Sequence, residues 1–259
     1  MSGFISAGGH RLEIKKIPGT RADAPTLLFL HEGLGSVALW RDFPDKLAAA
    51  TGAPALIYSR YGYGKSDRLI GERGVDYMHV EALETLPHLR RKLGLDDVVL
   101  VGHSDGASIA LIHAGAGRWP VRGLILESPH VFVEDITVAS IAEAKTMFET
   151  TDMAKRLARY HDDPDGAFWG WNRIWLDPAF RAWNIADYLS GVHCPVLAIQ
   201  GDDDEYGTPA QLDAIGRGVA GSFEQRVLPN CKHSPHRDQE AATLAAMTEW
   251  WQSIVNKIA

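Results

Sequence analysis

The feature that most constrains the fold of this chain is a serine pentapeptide, Gly-His-Ser-Asp-Gly, at residues 102–106. Residues 98–101 before it are apolar and mostly β-branched, as in a buried strand, and residues 107–114 after it predict a helix packed on a sheet. A serine at the apex of such a strand-to-helix turn has a strained backbone and a raised hydroxyl beside the first N–H groups of the helix. Ser104 is therefore a candidate nucleophile; the alternative is an ordinary serine in a surface loop.

Composition and charge exclude several classes of protein. The 259 residues are 46% hydrophobic, which suits one large domain or a core domain with an insertion. A net charge of −7 offers no basic surface for nucleic acid or anionic lipid. Neither a secretory signal nor an apolar run of the roughly 18 residues needed to cross a bilayer is visible. We expect a small-molecule substrate as partner, no nucleic acid and no membrane, and leave a homodimer open.

The placement of the cysteines indicates whether the protein comes from an oxidising or a reducing compartment. The chain has two, Cys194 and Cys231, and they fall near different predicted strands. Because this placement does not favour a disulfide between them, the sequence is typical of a protein from a reducing environment. We therefore expect a cytoplasmic location.

Strand patterns alternate with helix patterns along the chain, which is typical of a mainly parallel sheet covered by helices on both faces. The predicted fold class is therefore α/β. Strands are predicted at residues 10–17, 26–30, 55–59, 98–101, 123–126, 196–199 and 223–228. Helices are predicted at residues 39–50, 76–93, 105–115, 208–219 and 237–258.

The alternation breaks in a stretch of about 60 residues that is too long for an ordinary crossover between two strands. We therefore predict a core domain at residues 1–129 and 191–259 and a helical cap at residues 130–190. The cap is rich in aromatic residues, which either form a small core of their own or roof an apolar pocket. Three of them are candidate substrate-binding residues: Trp169, Trp171 and Trp175.

A serine hydroxyl needs a base, and the base needs an orienting acid. In a parallel sheet these partners are expected on loops that leave the carboxyl ends of later strands. One such loop carries four acids at residues 202–205, and the next carries two histidines, His233 and His236. The chain order is therefore nucleophile, acid, histidine.

With this order and the serine elbow, the chain resembles the α/β-hydrolase family over essentially its whole length. In that family the acid usually takes the fourth position of a Gly-x-x-Asp turn, which implies Asp204 here. The family histidine begins the short loop before the last helix, which implies His233, although Lys232 stands where a glycine is usual. The resemblance thus implies a triad of Ser104, Asp204 and His233.

The same resemblance implies an oxyanion hole. Residues 31–36, His-Glu-Gly-Leu-Gly-Ser, resemble the His-Gly-x-x-Gly-Ser loop of the family, and the implied donors are the N–H groups of Gly33 and Asp105. Glu32 departs from the pattern, because its charge would oppose an oxyanion unless the side chain turns away or is paired. Residues 60–67 lack the phosphate-loop pattern and resemble a structural turn of the family, Arg-Gly-x-Gly-x-Ser.

An aspartate directly after the nucleophile resembles the elbow of valacyclovir-hydrolase-like enzymes. In those enzymes this residue is thought to meet the ammonium group of an amino-acid ester, which makes Asp105 a candidate substrate-binding residue. The other interpretation is that Asp105 caps the helix, its carboxylate stabilised by the N-terminal dipole.

These residues predict acyl transfer to water through an acyl-enzyme, with no cofactor and no metal, because no metal-spaced cluster or dinucleotide fingerprint is present. The aromatic cap favours a carboxylic ester with a small or medium apolar or aryl group. Thioesters, lactones and amides are also open. One alternative is a carbon–carbon hydrolase of ring-fission products, although those tend to carry Gly-Asn-Ser at the elbow. The other is a small-molecule receptor built on the same fold.

Overall fold

The computed structural model describes residues 1–21 and 23–255. In this part of the chain eight strands form one sheet in the order β1-β2-β4-β3-β5-β6-β7-β8. The strands β1 and β2 pair antiparallel, as do β2 and β4, and all other neighbours are parallel. The strands are β1 Ser2–Ala7, β2 His10–Ile17, β3 Thr26–Leu30, β4 Ala55–Tyr58, β5 Val98–His103, β6 Gly123–Glu127, β7 Val196–Gly201 and β8 Phe223–Leu228. The predicted α/β class with a mainly parallel sheet is confirmed.

Helices connect these strands and cover both faces of the sheet. They are α1 Phe43–Thr51, α2 Tyr77–Val80, α3 Leu86–Leu93, α4 Asp105–Gly115, α5 Asp135–Thr150, α6 Met153–Leu157, α7 Pro164–Leu176, α8 Ala186–Leu189, α9 Ala210–Gly218, α10 Pro235–Asp238 and α11 Glu240–Val255. A π-helical turn, Glu81–Thr85, lies between α2 and α3, and a 3₁₀ turn, Pro178–Ala182, follows α7. In the described part of the chain no helix is both long and apolar enough to cross a membrane.

The apolar runs of the central strands are explained by burial on two sides. In β3, Leu27 and Phe29 pack in the apolar cluster formed with α1 and α11, whereas Leu28 and Leu30 pack in the cluster on the opposite face, which includes α4. Successive side chains of a strand point to opposite faces, so a strand covered by helices on both sides is apolar throughout. The carboxyl ends of these strands therefore lie between two layers of packed helices, and this packing holds the loops that follow the strands in place.

The first predicted helix begins at Phe43 instead of residue 39, and the last, predicted from residue 237, is divided at Gln239 into α10 and α11. Two further differences from the sequence prediction have a local cause. The edge strand β1 was not predicted, because a short segment with Ser, Gly and Ala lacks the pattern of a half-buried strand; it pairs with β2 through a turn at Gly8 and Gly9, both with positive φ. The helix predicted at residues 76–93 is interrupted by the π-helical turn directly before Pro87, which has no N–H to continue the helical bonds. The predicted end of the last helix, residues 256–258, lies outside the described residues.

The segment between β6 and β7 is helical: α5, α6 and α7 pack on one another, and α8 packs on the sheet-covering helix α4. Residues of α5 and α7 form one wall of a cavity whose other wall contains Ser104. The boundaries of the cap at residues 130 and 190 stay a prediction. A cap requires helices that face the serine across a cavity, and α5 and α7 do so.

Candidate active site

The serine pentapeptide forms a sharp turn between β5 and α4. Ser104 has φ 52° and ψ −117°, in the half of the map where a residue with a side chain is strained. The turn can close because Gly106 lies against the carbonyl group of Leu30, where a Cβ atom would have no room. This backbone raises the hydroxyl of Ser104 at the carboxyl end of the sheet, as in a nucleophile elbow.

Ser104, His233 and Asp204 form a chain of hydrogen bonds. Nε2 of His233 lies 2.9 Å from Oγ of Ser104, and Nδ1 of His233 lies 2.7 Å from Oδ1 of Asp204. The aspartate follows β7 and the histidine follows β8, so the three side chains come from three strand ends at one edge of the parallel sheet. The structure thus places the three candidate catalytic residues in the order that acyl transfer needs: nucleophile, base, orienting acid.

Asp204 is held as an ionised acceptor. Its Oδ2 accepts a hydrogen bond from Nε2 of Gln200 at 3.1 Å, and its Oδ1 also accepts one from the N–H of Tyr206 at 2.9 Å. Burial alone would raise the pKa of Asp204, but the charge of His233 and the hydrogen bonds hold that pKa well below its usual range. An ionised Asp204 keeps the proton on Nδ1 of His233, which leaves Nε2 free to accept the proton of Ser104.

The other candidate acids have other partners. Glu205 accepts the backbone N–H of His233 at 3.2 Å, and Asp202 accepts the backbone N–H of Cys231 at 3.4 Å. These bonds shape the loops rather than orient an imidazole. Asp204 is the acid that contacts the ring of the base.

His236 belongs to a different buried pair. Its Nδ1 lies 2.8 Å from Oε2 of Glu127, and its ring packs against Trp40 and Phe43. It is 4% exposed and stands in α10, not beside Ser104. Its contacts indicate a role in anchoring the loop that carries His233.

The two N–H groups predicted for the oxyanion hole lie at adjacent strand ends. Asp105 is the first residue of α4, so its N–H has no acceptor within the helix. In the described part of the chain, the N–H of Gly33 is likewise without a hydrogen-bond acceptor. The indole of Trp171 packs on Gly33 where a Cβ atom would otherwise stand, so only glycine fits at this point of the loop. The role of both groups stays a prediction that this geometry suits.

Glu32, the residue that departs from the family pattern, is paired. Its Oε2 lies 3.5 Å from Nδ1 of His103, an ion-pair distance, while Nε2 of His103 donates to the carbonyl oxygen of His233 at 2.7 Å. Burial alone would lower the pKa of His103, but the carboxylate of Glu32 raises it to about 9. His103 is therefore protonated at neutral pH, and its charge offsets that of Glu32 beside the candidate oxyanion hole.

This pair predicts how stability depends on pH. Because the pKa of His103 is raised in the folded chain from its ordinary value of 6.5 to about 9, its contribution to stability is complete below about pH 6.5 and is lost as pH rises through 9. His103→Gln keeps a donor for the carbonyl of His233 but removes the charge. We expect the variant to be less stable than the parent at pH 7 and this difference to shrink by pH 10. Urea unfolding of both proteins from pH 6 to pH 10 measures it; a difference that stays constant over that range would contradict the assignment.

The carboxylate of Asp105 points away from the cavity into a buried network. Its Oδ2 accepts hydrogen bonds from the hydroxyl of Tyr77 at 2.8 Å and from Nη2 of Arg60 at 3.3 Å. Its Oδ1 lies 3.3 Å from Nε1 of Trp175. Asp105 is fully buried, and its carboxylate bonds these three side chains rather than a backbone N–H of α4. Its place in the first turn of α4 suits stabilisation by the helix dipole, as considered from the sequence, whereas the pairing with Arg60 leaves no open ammonium site at this carboxylate.

Ser104 opens into a cavity of about 210 Å³. Its walls combine apolar side chains, Ile141, Trp171 and Trp175, with polar ones, Thr137, Tyr206 and His130. Two of the three candidate substrate-binding tryptophans therefore lie at the cavity. Trp169 does not: it lines a separate surface cavity with Leu69 and Arg173 on the other side of α7.

Several polar residues of the cavity were not anticipated from the sequence, and His130 and Arg237 are the two that can carry a charge. His130 is 2% exposed, its Nδ1 has no hydrogen-bond partner among the described residues, and burial lowers its pKa to about 4. Arg237 is exposed and forms no ion pair with a described residue. The sequence does contain a signal for His130, because this residue follows β6. The carboxyl ends of parallel strands lie at one edge of the sheet, so a residue after β6 is expected near Ser104, which follows β5.

Comparisons with known proteins agree with this architecture. A family model described as the alpha/beta hydrolase family matches residues 27–246. A proline iminopeptidase of Lactobacillus delbrueckii subsp. lactis is 32% identical in an alignment 275 positions long that covers 91% of this chain and 92% of that relative.

Two solved structures have the same fold. The crystal structure of a proline iminopeptidase from Mycobacterium smegmatis superposes with a TM-score of 0.81 at 16% identity and covers 100% of both chains. A thermophilic esterase from Thermogutta terrifontis superposes with a TM-score of 0.75 at 19% identity, over 98% of this chain and 99% of that one. At these identities the likeness concerns the fold alone.

Proposed function

The chain belongs to the α/β-hydrolase family of enzymes, and from that premise we propose that it is a serine hydrolase that cleaves a carboxylic ester of a small substrate. The observation that carries the proposal is the chain of hydrogen bonds from Asp204 through His233 to Ser104, which ends in a cavity. A nucleophile, a base and an orienting acid within hydrogen-bond distance are what ester hydrolysis through an acyl-enzyme requires.

The proposed reaction follows from this geometry. Oγ of Ser104 attacks the ester carbon while Nε2 of His233 takes the hydroxyl proton, and the carbonyl oxygen becomes an oxyanion held by the N–H groups of Gly33 and Asp105. When the tetrahedral intermediate collapses, His233 returns the proton to the leaving alcohol. Water then attacks the acyl-enzyme with His233 again as base, which releases the acid and restores Ser104.

The cavity supports a small acyl group. Its volume of about 210 Å³ is below the range of roughly 300–1,000 Å³ typical of drug-sized ligands. Its apolar wall is formed by Trp171, Trp175 and Ile141, which favours acetyl to butyryl or small cyclic groups over long chains.

A panel of p-nitrophenyl acetate, butyrate and octanoate, with a thioester, a lactone and a vinylogous diketone, tests which type of bond is cleaved and which size of acyl group is preferred. We expect the short esters to be cleaved fastest; cleavage of the diketone alone would replace the proposal with carbon–carbon hydrolysis.

A second candidate function is release of an N-terminal proline. It is favoured by the curated relative named proline iminopeptidase, which is 32% identical over 91% of this chain. Such a substrate carries a positive charge next to the scissile carbonyl, and binding it requires an acceptor with negative charge. Glu32, whose carboxylate lines the cavity, is already paired with His103, and Asp105 is paired with Arg60, which favours an uncharged acyl group.

A matched pair of substrates separates the two candidates. Proline benzyl ester and cyclopentanecarboxylic acid benzyl ester have the same ring size and differ in the charged ring nitrogen. Because the carboxylates are paired, we expect the uncharged ester to have the higher kcat/KM, by about tenfold or more if the ammonium has to be desolvated without a partner. Benzyl alcohol release measured by chromatography gives both rates. A faster proline ester would favour release of N-terminal proline and would contradict the preference for an uncharged acyl group.

A further inference from the structure

A buried arginine joins the two halves of the candidate oxyanion hole. Arg60 follows β4 directly and is 1% exposed. Its Nη2 donates to the carbonyl oxygen of Glu32 at 2.8 Å and to Oδ2 of Asp105 at 3.3 Å. One guanidinium nitrogen carries two protons, so it can serve both acceptors at the same time.

The two acceptors belong to the residues that carry the two oxyanion donors. The carbonyl of Glu32 and the N–H of Gly33 are opposite ends of one planar peptide unit, so a bond that fixes the carbonyl also fixes the direction of the N–H. Asp105 carries the second N–H on its own backbone. Arg60 therefore bridges the oxyanion loop after β3 and the elbow after β5 through a single nitrogen atom.

A second donor acts on the same peptide. Nδ1 of His31 lies 2.7 Å from the carbonyl oxygen of Glu32, and Nε2 of His31 accepts the backbone N–H of Arg60 at 2.9 Å. The acceptor role of Nε2 places the proton on Nδ1, and burial holds the pKa of His31 well below its ordinary value, so the ring is neutral. Two donors on one carbonyl polarise the peptide and make its N–H a stronger donor.

The charge of Asp105 is what keeps the bridge in place. Its carboxylate is the negative partner of Arg60 in a pair whose side chains are 2% and 0% exposed. Tyr77 and Trp175 donate to its two oxygens and fix its orientation. Removing one member of a buried pair leaves an uncompensated charge, so Arg60 is expected to move when the charge of Asp105 is lost.

We propose that Arg60 and Asp105 form a positioning pair that sets the spacing and direction of the two N–H groups that receive the oxyanion. The proposal rests on the proposed function, because it assigns these residues to the same serine-hydrolase step. Arg60 contacts neither substrate nor Ser104; it acts through the Glu32–Gly33 peptide and through Asp105. In this proposal the carboxylate of Asp105 holds Arg60 in place and does not bind a cation on the substrate.

The pair should act on the transition state and not on substrate binding. The oxyanion exists only after Ser104 has attacked, so misplaced donors lower kcat while KM changes little. Removal of a whole donor costs on the order of 10²–10³ in kcat, and a displaced donor costs less. We therefore expect a fall in kcat of about 10- to 100-fold when the pair is broken.

A trifluoromethyl ketone and the matching alcohol distinguish an effect on the oxyanion from an effect on binding in the cavity. An alkyl trifluoromethyl ketone accepts Oγ of Ser104 at its carbonyl carbon, passes the serine proton to His233 and places an oxyanion on the two N–H groups. The matching trifluoromethyl alcohol fills the cavity and forms no adduct. In Asp105→Asn, which keeps size and polarity, and in Arg60→Lys, which keeps the charge, the Ki of the ketone should rise by the factor by which kcat falls. The Ki of the alcohol should stay within about twofold.

Asp97→Asn is the matched control. Asp97 is likewise an aspartate paired with an arginine, Arg122, at 2.6 Å, and it lies directly before β5, at the end of the strand opposite the elbow. If it weakens the ketone as much as Asp105→Asn does, or if Asp105→Asn leaves the ketone-to-alcohol ratio of Ki unchanged, the positioning role is wrong. Should Arg60→Lys fail to fold, Asp105→Asn alone decides. A parent protein that neither cleaves esters nor binds the ketone would instead contradict the proposed function.

Discussion

Replacing Ser104 with alanine is expected to abolish ester hydrolysis, with a fall in kcat of at least about 10³-fold. The hydroxyl of Ser104 is the group that Nε2 of His233 contacts at 2.9 Å, and it stands at the end of the cavity. Without it the acyl-enzyme cannot form, and only the slow attack of water near the remaining donors is left. Initial rates of p-nitrophenyl acetate hydrolysis on purified protein measure the loss.

A matched serine controls for an indirect effect. Ser253 lies in α11 and bonds the carbonyl oxygen of Trp250, remote from the cavity. Ser253→Ala should therefore keep the rate of the parent protein. If Ser104→Ala retains that rate as well, Ser104 has no part in the mechanism and the hydrolysis comes from another site.

The second large effect is expected at His233. His233→Ala should be nearly inactive, again by about 10³-fold or more, because no other side chain bridges Asp204 and Ser104 in the described residues. His236→Ala should keep a substantial rate, since His236 contacts Glu127 and Trp40 and not the nucleophile.

The two histidine variants differ in a second measurement. Each variant leaves a buried carboxylate without its histidine, Glu127 in His236→Ala and Asp204 in His233→Ala. Asp204 keeps two other donors, Nε2 of Gln200 and the N–H of Tyr206, whereas Glu127 keeps the backbone N–H of His236 alone among the described residues, so His236→Ala should unfold at the lower temperature. Rates and melting temperatures of both variants measured side by side test the assignment. The reverse pattern, an inactive His236 variant and an active His233 variant, would mean that the final loop is assigned wrongly.

The sheet could be predicted because its central strands are buried on both faces. β3, β5, β6 and β7 are buried along nearly their whole length and are apolar runs in the sequence. β8 is an edge strand but could be predicted because it ends at Pro229. The other edge strand, β1, was not predicted, because its Ser, Gly and Ala residues lack a strand pattern. The π-helical turn interrupts the helix predicted at residues 76–93, and the sequence signal for a break there is Pro87, which has no N–H.

The tryptophans of α7 could have been separated by helical geometry. Trp171 and Trp175 are four residues apart, which places them on one face of a helix, while Trp169 is two residues from Trp171 and faces elsewhere. The cavity is lined by the first two, and Trp169 lines another surface. The number of aromatic residues in the cap indicates less well than their helical spacing which of them line the cavity.

The network around Asp105 could not be predicted in the same way. Its partners Arg60, Tyr77 and Trp175 come from three different elements, and only the folded chain brings them together. The sequence pattern offered a local cap or a substrate cation. The pairing with Arg60 comes in addition to the position in the first turn of α4, because an unpaired carboxylate inside the protein is costly.

The most direct test of the central claim, that Ser104 is an activated nucleophile in a hydrolase, is labelling by a fluorophosphonate followed by peptide mass spectrometry. The fluorophosphonate reacts when Oγ of Ser104 attacks phosphorus, fluoride leaves and His233 takes the proton. We expect one adduct on Ser104 in the parent protein and none in Ser104→Ala or His233→Ala. An unlabelled parent protein, or an adduct that persists in Ser104→Ala, would contradict the assignment and would favour a receptor with an idle cavity.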